Sequence, residues 1–153
     1  MIQLFLEPDD ISEIVGFDGN IDIDRIKPII EVAQKINIKN LLGEELYNVI
    51  YAGSLSGNYL IILNDYIRPI LAWHTASIYL SLNTFKTANN GSFKLGGNTG
   101  DTSPSSLEIK EMASNYKNIA VSYEGQFLKF MSTIEIPEFK NAKKITDNLT
   151  NWY

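Results

Sequence analysis

Cysteine is absent from these 153 residues, histidine occurs once, and there is neither a basic cluster nor a long uninterrupted apolar run. Without cysteine there are no disulfides and no thiolate metal sites, a usage that suits a reducing compartment. His74 alone cannot assemble a zinc set. No serine or cysteine nucleophile motif accompanies it, so it reads as a core histidine rather than a general base. The opening MIQLFLEPDDISE has no basic n-region and no apolar h-region, and no signal peptide is expected. The sequons Asn90-Gly91-Ser92 and Asn148-Leu149-Thr150 then read as coincidence. The longest apolar stretch is interrupted by Asn64 and Arg68 and is a poor membrane span.

Charge of one sign is missing locally. Residues 1–24 contain Glu7, Asp9, Asp10, Glu13, Asp18, Asp22 and Asp24 and no base, so this segment carries −7 of a net −5. The remainder has 13 bases against 11 acids. No basic stripe suited to nucleic-acid phosphates is present. The acidic start reads either as a solvated surface or as a face that repels DNA or pairs with a basic partner.

What is present is helical periodicity. The chain is organised around Asn58 to Phe85, with Asn58 as its expected N-cap. Leu60, Leu63, Ile67, Ile70, Leu71, His74, Ile78, Leu82 and Phe85 share one stripe, and Ile62, Tyr66, Trp73, Ala76, Tyr79 and Leu80 fall off it. A helix apolar on most sides is enclosed by others. Pro69 should bend it near Tyr66. Before it, a short helix is expected around Ile11, Ile14 and Val15, ending near Gly16. A second should carry Ile26, Ile29, Ile30, Ala33 and Ile36, capped by Asp22 or Asp24, with Pro28 in its first turns. A third, separated by Asn37 to Asn40, should turn Leu41, Leu42, Leu46, Tyr47 and Ile50 inward.

After Phe85 the composition changes to Gly, Asn, Ser and Thr. Asn90-Gly91, between Phe85-Lys86-Thr87 and Phe93-Lys94-Leu95, is a hairpin signal, the plain alternative being a surface loop. Ser105 with Glu108 fits a capping box. The last helix carries Ile109, Met112, Tyr116, Ile119, Ala120, Tyr123, Phe127, Phe130 and Met131 on one stripe, to about Thr133. Phe139, Ile145, Leu149, Trp152 and Tyr153 then punctuate a polar tail. The large anchors gain roughly 1.5–3 kcal/mol each on burial. Ordering some fifteen residues costs on the order of 1–2 kcal/mol apiece. The tail is therefore expected to order only against a neighbouring molecule.

The expected fold is all-α: a small helical bundle on two long antiparallel helices, with an inserted β-hairpin or loop. The helical domain is 1–135, the insertion 86–103, and the docking tail 136–153. The candidate site residues form a protein interface: Asn90, Gly91, Phe93, Leu95, Phe139, Trp152 and Tyr153. No catalytic, cofactor or metal residue is expected. Asp18-Gly19-Asn20-Ile21-Asp22 begins like a calcium loop, but Ile23 and Ile29 stand where glycine and glutamate are needed. Gly91 to Gly97 lacks the Lys-Ser/Thr of a phosphate loop.

Leu41-Leu-Gly-Glu-Glu-Leu-Tyr47, Tyr59-Leu60 and Ile67-Arg-Pro-Ile-Leu-Ala-Trp73 resemble the head–tail connector (adaptor) proteins of tailed bacteriophages, especially the ring proteins of crAss-like and other Bacteroidetes phages. Lys86 to Gly97 and Tyr116 to Phe130 continue the likeness, which spans roughly residues 20–135. The resemblance implies a structural virion subunit, made in the bacterial host cytoplasm, that closes into a homo-oligomeric ring (a dodecamer) beneath the portal protein. Such a ring extends the DNA channel and receives further connector or tail proteins. DNA is passing cargo, and neither a membrane nor a cofactor is involved. The family has no catalytic residues, so no enzyme is expected. The alternative is a solitary helical module that binds a peptide or host protein.

Overall fold

The computed structural model describes residues 2–16, 22–90 and 105–140, with 83–90 as backbone. The helical segments are α1 (Pro8–Val15), α2 (Ile23–Ala33), α3 (Lys39–Leu42), α4 (Glu44–Ala52), α5 (Asn58–Ile61), α6 (Arg68–Asn90) and α7 (Ser106–Met131). The fold is all-α, and no strand occurs among the described residues. Local signals explain most of the ends. Asp22 caps α2 by accepting from the Asp24 amide, and Ser105 and Glu108 close the capping box of α7. Gly16 ends α1 at φ 77°, a left-handed conformation that costs glycine nothing.

Two joints between segments are not breaks. A π turn, Gln34–Ile38, joins α2 to α3, and another, Ile62–Ile67, joins α5 to α6. Residues 23–42 and 58–90 are therefore two continuous rods. The expected separation at Asn37 to Asn40 is replaced by a stop at Gly43, whose φ of 79° suits glycine. Gly57, not Asn58, occupies the cap position of the second rod. The second π turn lies immediately before Arg68-Pro69, where Pro69 leaves a preceding carbonyl without its usual donor.

Each π turn shifts the phase of its helix, because a wider turn adds a residue before the pattern resumes. In the first rod Gln34 and Ile38 are fully buried, whereas Ile36, inward by α-helical spacing, is 56% exposed. In the second rod Ile62 and Ile67 are buried and Leu60 is 43% exposed.

α6 and α7 pack along one another in opposite senses. Tyr66 stacks on Phe130, His74 meets Glu124, and Ser77 Oγ donates to the Ala113 carbonyl. Ala113, Ala120 and Phe127, seven residues apart, are buried on α7. Small residues at two of these positions let the backbones approach closely enough for the 2.7 Å Ser77–Ala113 bond. α1 and α2 both pack against α6.

The N-terminal segment is woven into this core. Phe5 and Leu6 are buried. The Phe5 amide donates to Gln34 Oε1 at 2.7 Å, and its carbonyl accepts from Arg68 Nε at 3.0 Å. Arg68 also faces Asp10 at 3.5 Å. The charge that interrupts the central apolar run thus holds the acidic start of the chain.

The β-hairpin is corrected. Its first arm, Phe85-Lys86-Thr87, lies inside α6, which continues to Asn90. A helix already paired with α7 gains an intrahelical hydrogen bond per added residue, and that outcompetes the local turn signal. Gly91 and the second arm lie outside the described residues. The core also runs past residue 135: Ile136 and Phe139 are buried in it.

Candidate interaction surfaces

Three places on the described surface combine exposure with organised side chains. The first is a cleft of about 420 Å³ lined by Ile2, Lys35, Lys39, Tyr47, Asn48 and Tyr51. Tyr47 and Tyr51, one turn apart on α4, stack at 5.9 Å between ring centroids. Lys39 Nζ sits 5.7 Å from the Tyr47 ring centre, in cation–π range. The phenols are anchored from behind: Gln34 Nε2 donates to Tyr47 Oη, and the Gln3 amide donates to Tyr51 Oη. Lys35 has no described ion pair.

The second place is the distal arm of the α6–α7 pair. Beyond Ser77 on α6 and before Ala113 on α7, no side chain with described burial is buried. Leu82 (54%), Leu107 (65%) and Met112 (40%) are exposed there. Leu82 continues the α6 face on which Leu71 and Thr75 are buried, so this face runs out from under its covering helices.

The third is a shallow acidic cleft lined by Gly43, Glu44, Glu45, Glu138 and Lys140. Lys140 Nζ donates to Glu45 Oε1 at 2.7 Å. Beside it Tyr59 Oη donates to Glu138 Oε2 at 2.7 Å. That hydrogen bond, with desolvation and the carboxylate's charge, raises the Tyr59 phenol above its usual 10.0.

His74 is buried, and its Nε2 lies 2.6 Å from Glu124 Oε1. This is a histidine with a partner inside a helix pair, as its position on the apolar stripe suggests. Among the described residues no cluster of three metal-ligating side chains occurs, and no helix is long and apolar enough to cross a membrane.

Of the expected interface residues, Asn90 is the last residue of α6. Gly91, Phe93, Leu95, Trp152 and Tyr153 lie outside the described residues. Phe139 is a correction: it is buried, with its ring edge-on to Phe127 at 5.8 Å, and anchors the chain's own core. Sequence reasoning missed the tyrosine–lysine cleft, because Lys35 and Lys39 meet Tyr47 only through the π turn and the bend at Gly43.

The fold and these surfaces define an all-α protein whose organised exposed features are clefts and an apolar arm. Residues 38–148 match a family of unknown function (DUF6712), and with most of its length inside that match the chain belongs to this family. No curated protein and no solved structure matches the chain.

Proposed function

We propose that the chain is a structural subunit of a head–tail connector ring that sits beneath a phage portal, extends the DNA channel and offers an attachment surface to tail components. The reading begins from the resemblance in Leu41 to Tyr47 and Ile67 to Trp73. The observation that carries it is the α6–α7 arm, whose apolar residues Leu82, Leu107 and Met112 are exposed outside the core. A closed ring joins two different patches of each subunit head to tail, and an apolar arm provides one of them. Asn90, the last residue of α6, and Gly91, Phe93 and Leu95, which follow it in the sequence, belong to the proposed contact. The acidic α1, with Asp9 and Glu13 exposed, faces the channel or a basic neighbour.

The test is the mass and shape of the purified chain, alone and mixed with a portal protein, measured by light scattering and electron microscopy. Closed rings are expected, and Leu82→Lys with Leu107→Lys should abolish them while leaving the helical signal intact. A chain that stays monomeric at all concentrations, with and without portal, overturns the reading. That outcome would instead favour a solitary peptide-binding module, for which the Tyr47–Tyr51 cleft is the suitable feature.

A further inference from the structure

The described residues end at Lys140, and the remainder of the chain has a prepared path in front of it. Lys140 is tied to Glu45 in the acidic cleft formed with Glu44 and Glu138. Glu44 Oε1 lies 3.9 Å from Lys39 Nζ, so this cleft adjoins the one walled by Lys39, Lys35, Tyr47 and Tyr51. Starting from Lys140, the surface beside α4 therefore passes from carboxylates to a cleft walled by lysines and tyrosines together. The sequence after Lys140 carries complementary groups in the same order: Lys143-Lys144, then Asp147 and Trp152-Tyr153.

We propose that residues 141–153 dock along α4 of their own subunit. The two lysines lie against Glu44, Glu45 and Glu138, Asp147 lies near Lys39 and Lys35, and Trp152 fills the Tyr47–Tyr51 cleft. Reach is ample. The stretch from Lys140 to Trp152 spans up to about 40 Å when extended, whereas α4 rises only about 9 Å from Glu45 to Tyr51. The cleft volume lies within the range that holds drug-sized ligands, and aromatic walls with two lysines suit an indole. Phe139 and Lys140 fix the root of the tail, which lowers the ordering cost relative to a tail free from residue 139. A tethered indole meets its cleft at an effective concentration of about millimolar, which favours the subunit's own tail over a free partner. The inference goes beyond the ring reading and does not depend on it.

Hydrogen exchange on the full chain, at a dilution where its mass is that of one subunit, tests the proposal. In the wild type the amides of 145–153 should be protected. Tyr51→Ala, and separately Lys35→Glu with Lys39→Glu, should speed their exchange by about tenfold or more. The lysine pair is included because Tyr51 also accepts from Gln3, and circular dichroism checks that each variant is folded. Unprotected tail amides in the wild type overturn the proposal. So does protection that neither variant changes. Protection that appears only as concentration and mass rise together also overturns it, and makes a second copy the occupant.

Discussion

Gln34 offers the sharpest test of how this fold is held. Its side chain is fully buried in the first π turn and makes three hydrogen bonds, two to the N-terminal segment at Gln3 and Phe5 and one to Tyr47 on α4. Gln34→Leu keeps most of the apolar volume and removes the amide. Gln3 is exposed, so water can replace the amide at its carbonyl, and the buried Tyr47 phenol loses only an incoming donor while its own O–H stays free to donate. The Phe5 amide is the group at risk, because Phe5 is buried against Tyr47 and Tyr51. An orphaned buried donor costs about 1–3 kcal/mol. For a chain of this length that lowers the melting temperature by about 2–12 °C. Urea unfolding followed by circular dichroism should show a lower midpoint at unchanged slope. Hydrogen exchange should show residues 2–6 released while the α6–α7 pair keeps its protection. A variant within about 0.5 kcal/mol of wild type, the scatter of an ordinary surface substitution, would refute the reasoning.

Two further outcomes are expected. Thr75 is fully buried and its Oγ1 has no partner among the described residues, so Thr75→Val should raise stability by about 1 kcal/mol in the same urea assay; a loss of stability would mean that the hydroxyl is satisfied after all. The Tyr59 pKa is raised in the folded chain, so its bond to Glu138 contributes fully below the phenol's ordinary 10.0 and is lost as pH rises through the higher folded value. Spectrophotometric titration should show the Tyr59 phenol ionising late in the wild type and closer to its ordinary value in Glu138→Ala, which removes both the hydrogen-bond acceptor and the charge. An unchanged titration would show that Glu138 is not the cause.

The surfaces were only partly legible beforehand. An aromatic on a polar tail looks the same in sequence whether it serves a partner or the core, and Phe139 turned out to serve the core because α7 presents Phe127 beside it. Asn90-Gly91 carries a turn signal that acts within a few residues. It did not stop α6 at Phe85, because adding residues to a helix already formed gains one hydrogen bond each without a new nucleation cost.

The sequence by itself determined the all-α class, the Ser105 cap, a cap at Asp22 or Asp24, the glycine stop after α1, and the burial of Ile26, Ile30, Ile70, Ala120 and Phe127. These depend on neighbours within a turn or two, or on a period that the chain repeats. Only the tertiary structure decided the two π turns, the inward rotation of Gln34 and Ile62, the outward rotation of Ile36 and Leu60, and the place of Phe5 and Leu6 in the core. A π turn replaces well-formed α-helical bonds with poorer ones and has little local signature. It persists here where distant residues engage the groups it turns inward: the Phe5 amide for Gln34, and for the second rod the apolar core that encloses Ile62 and Ile67.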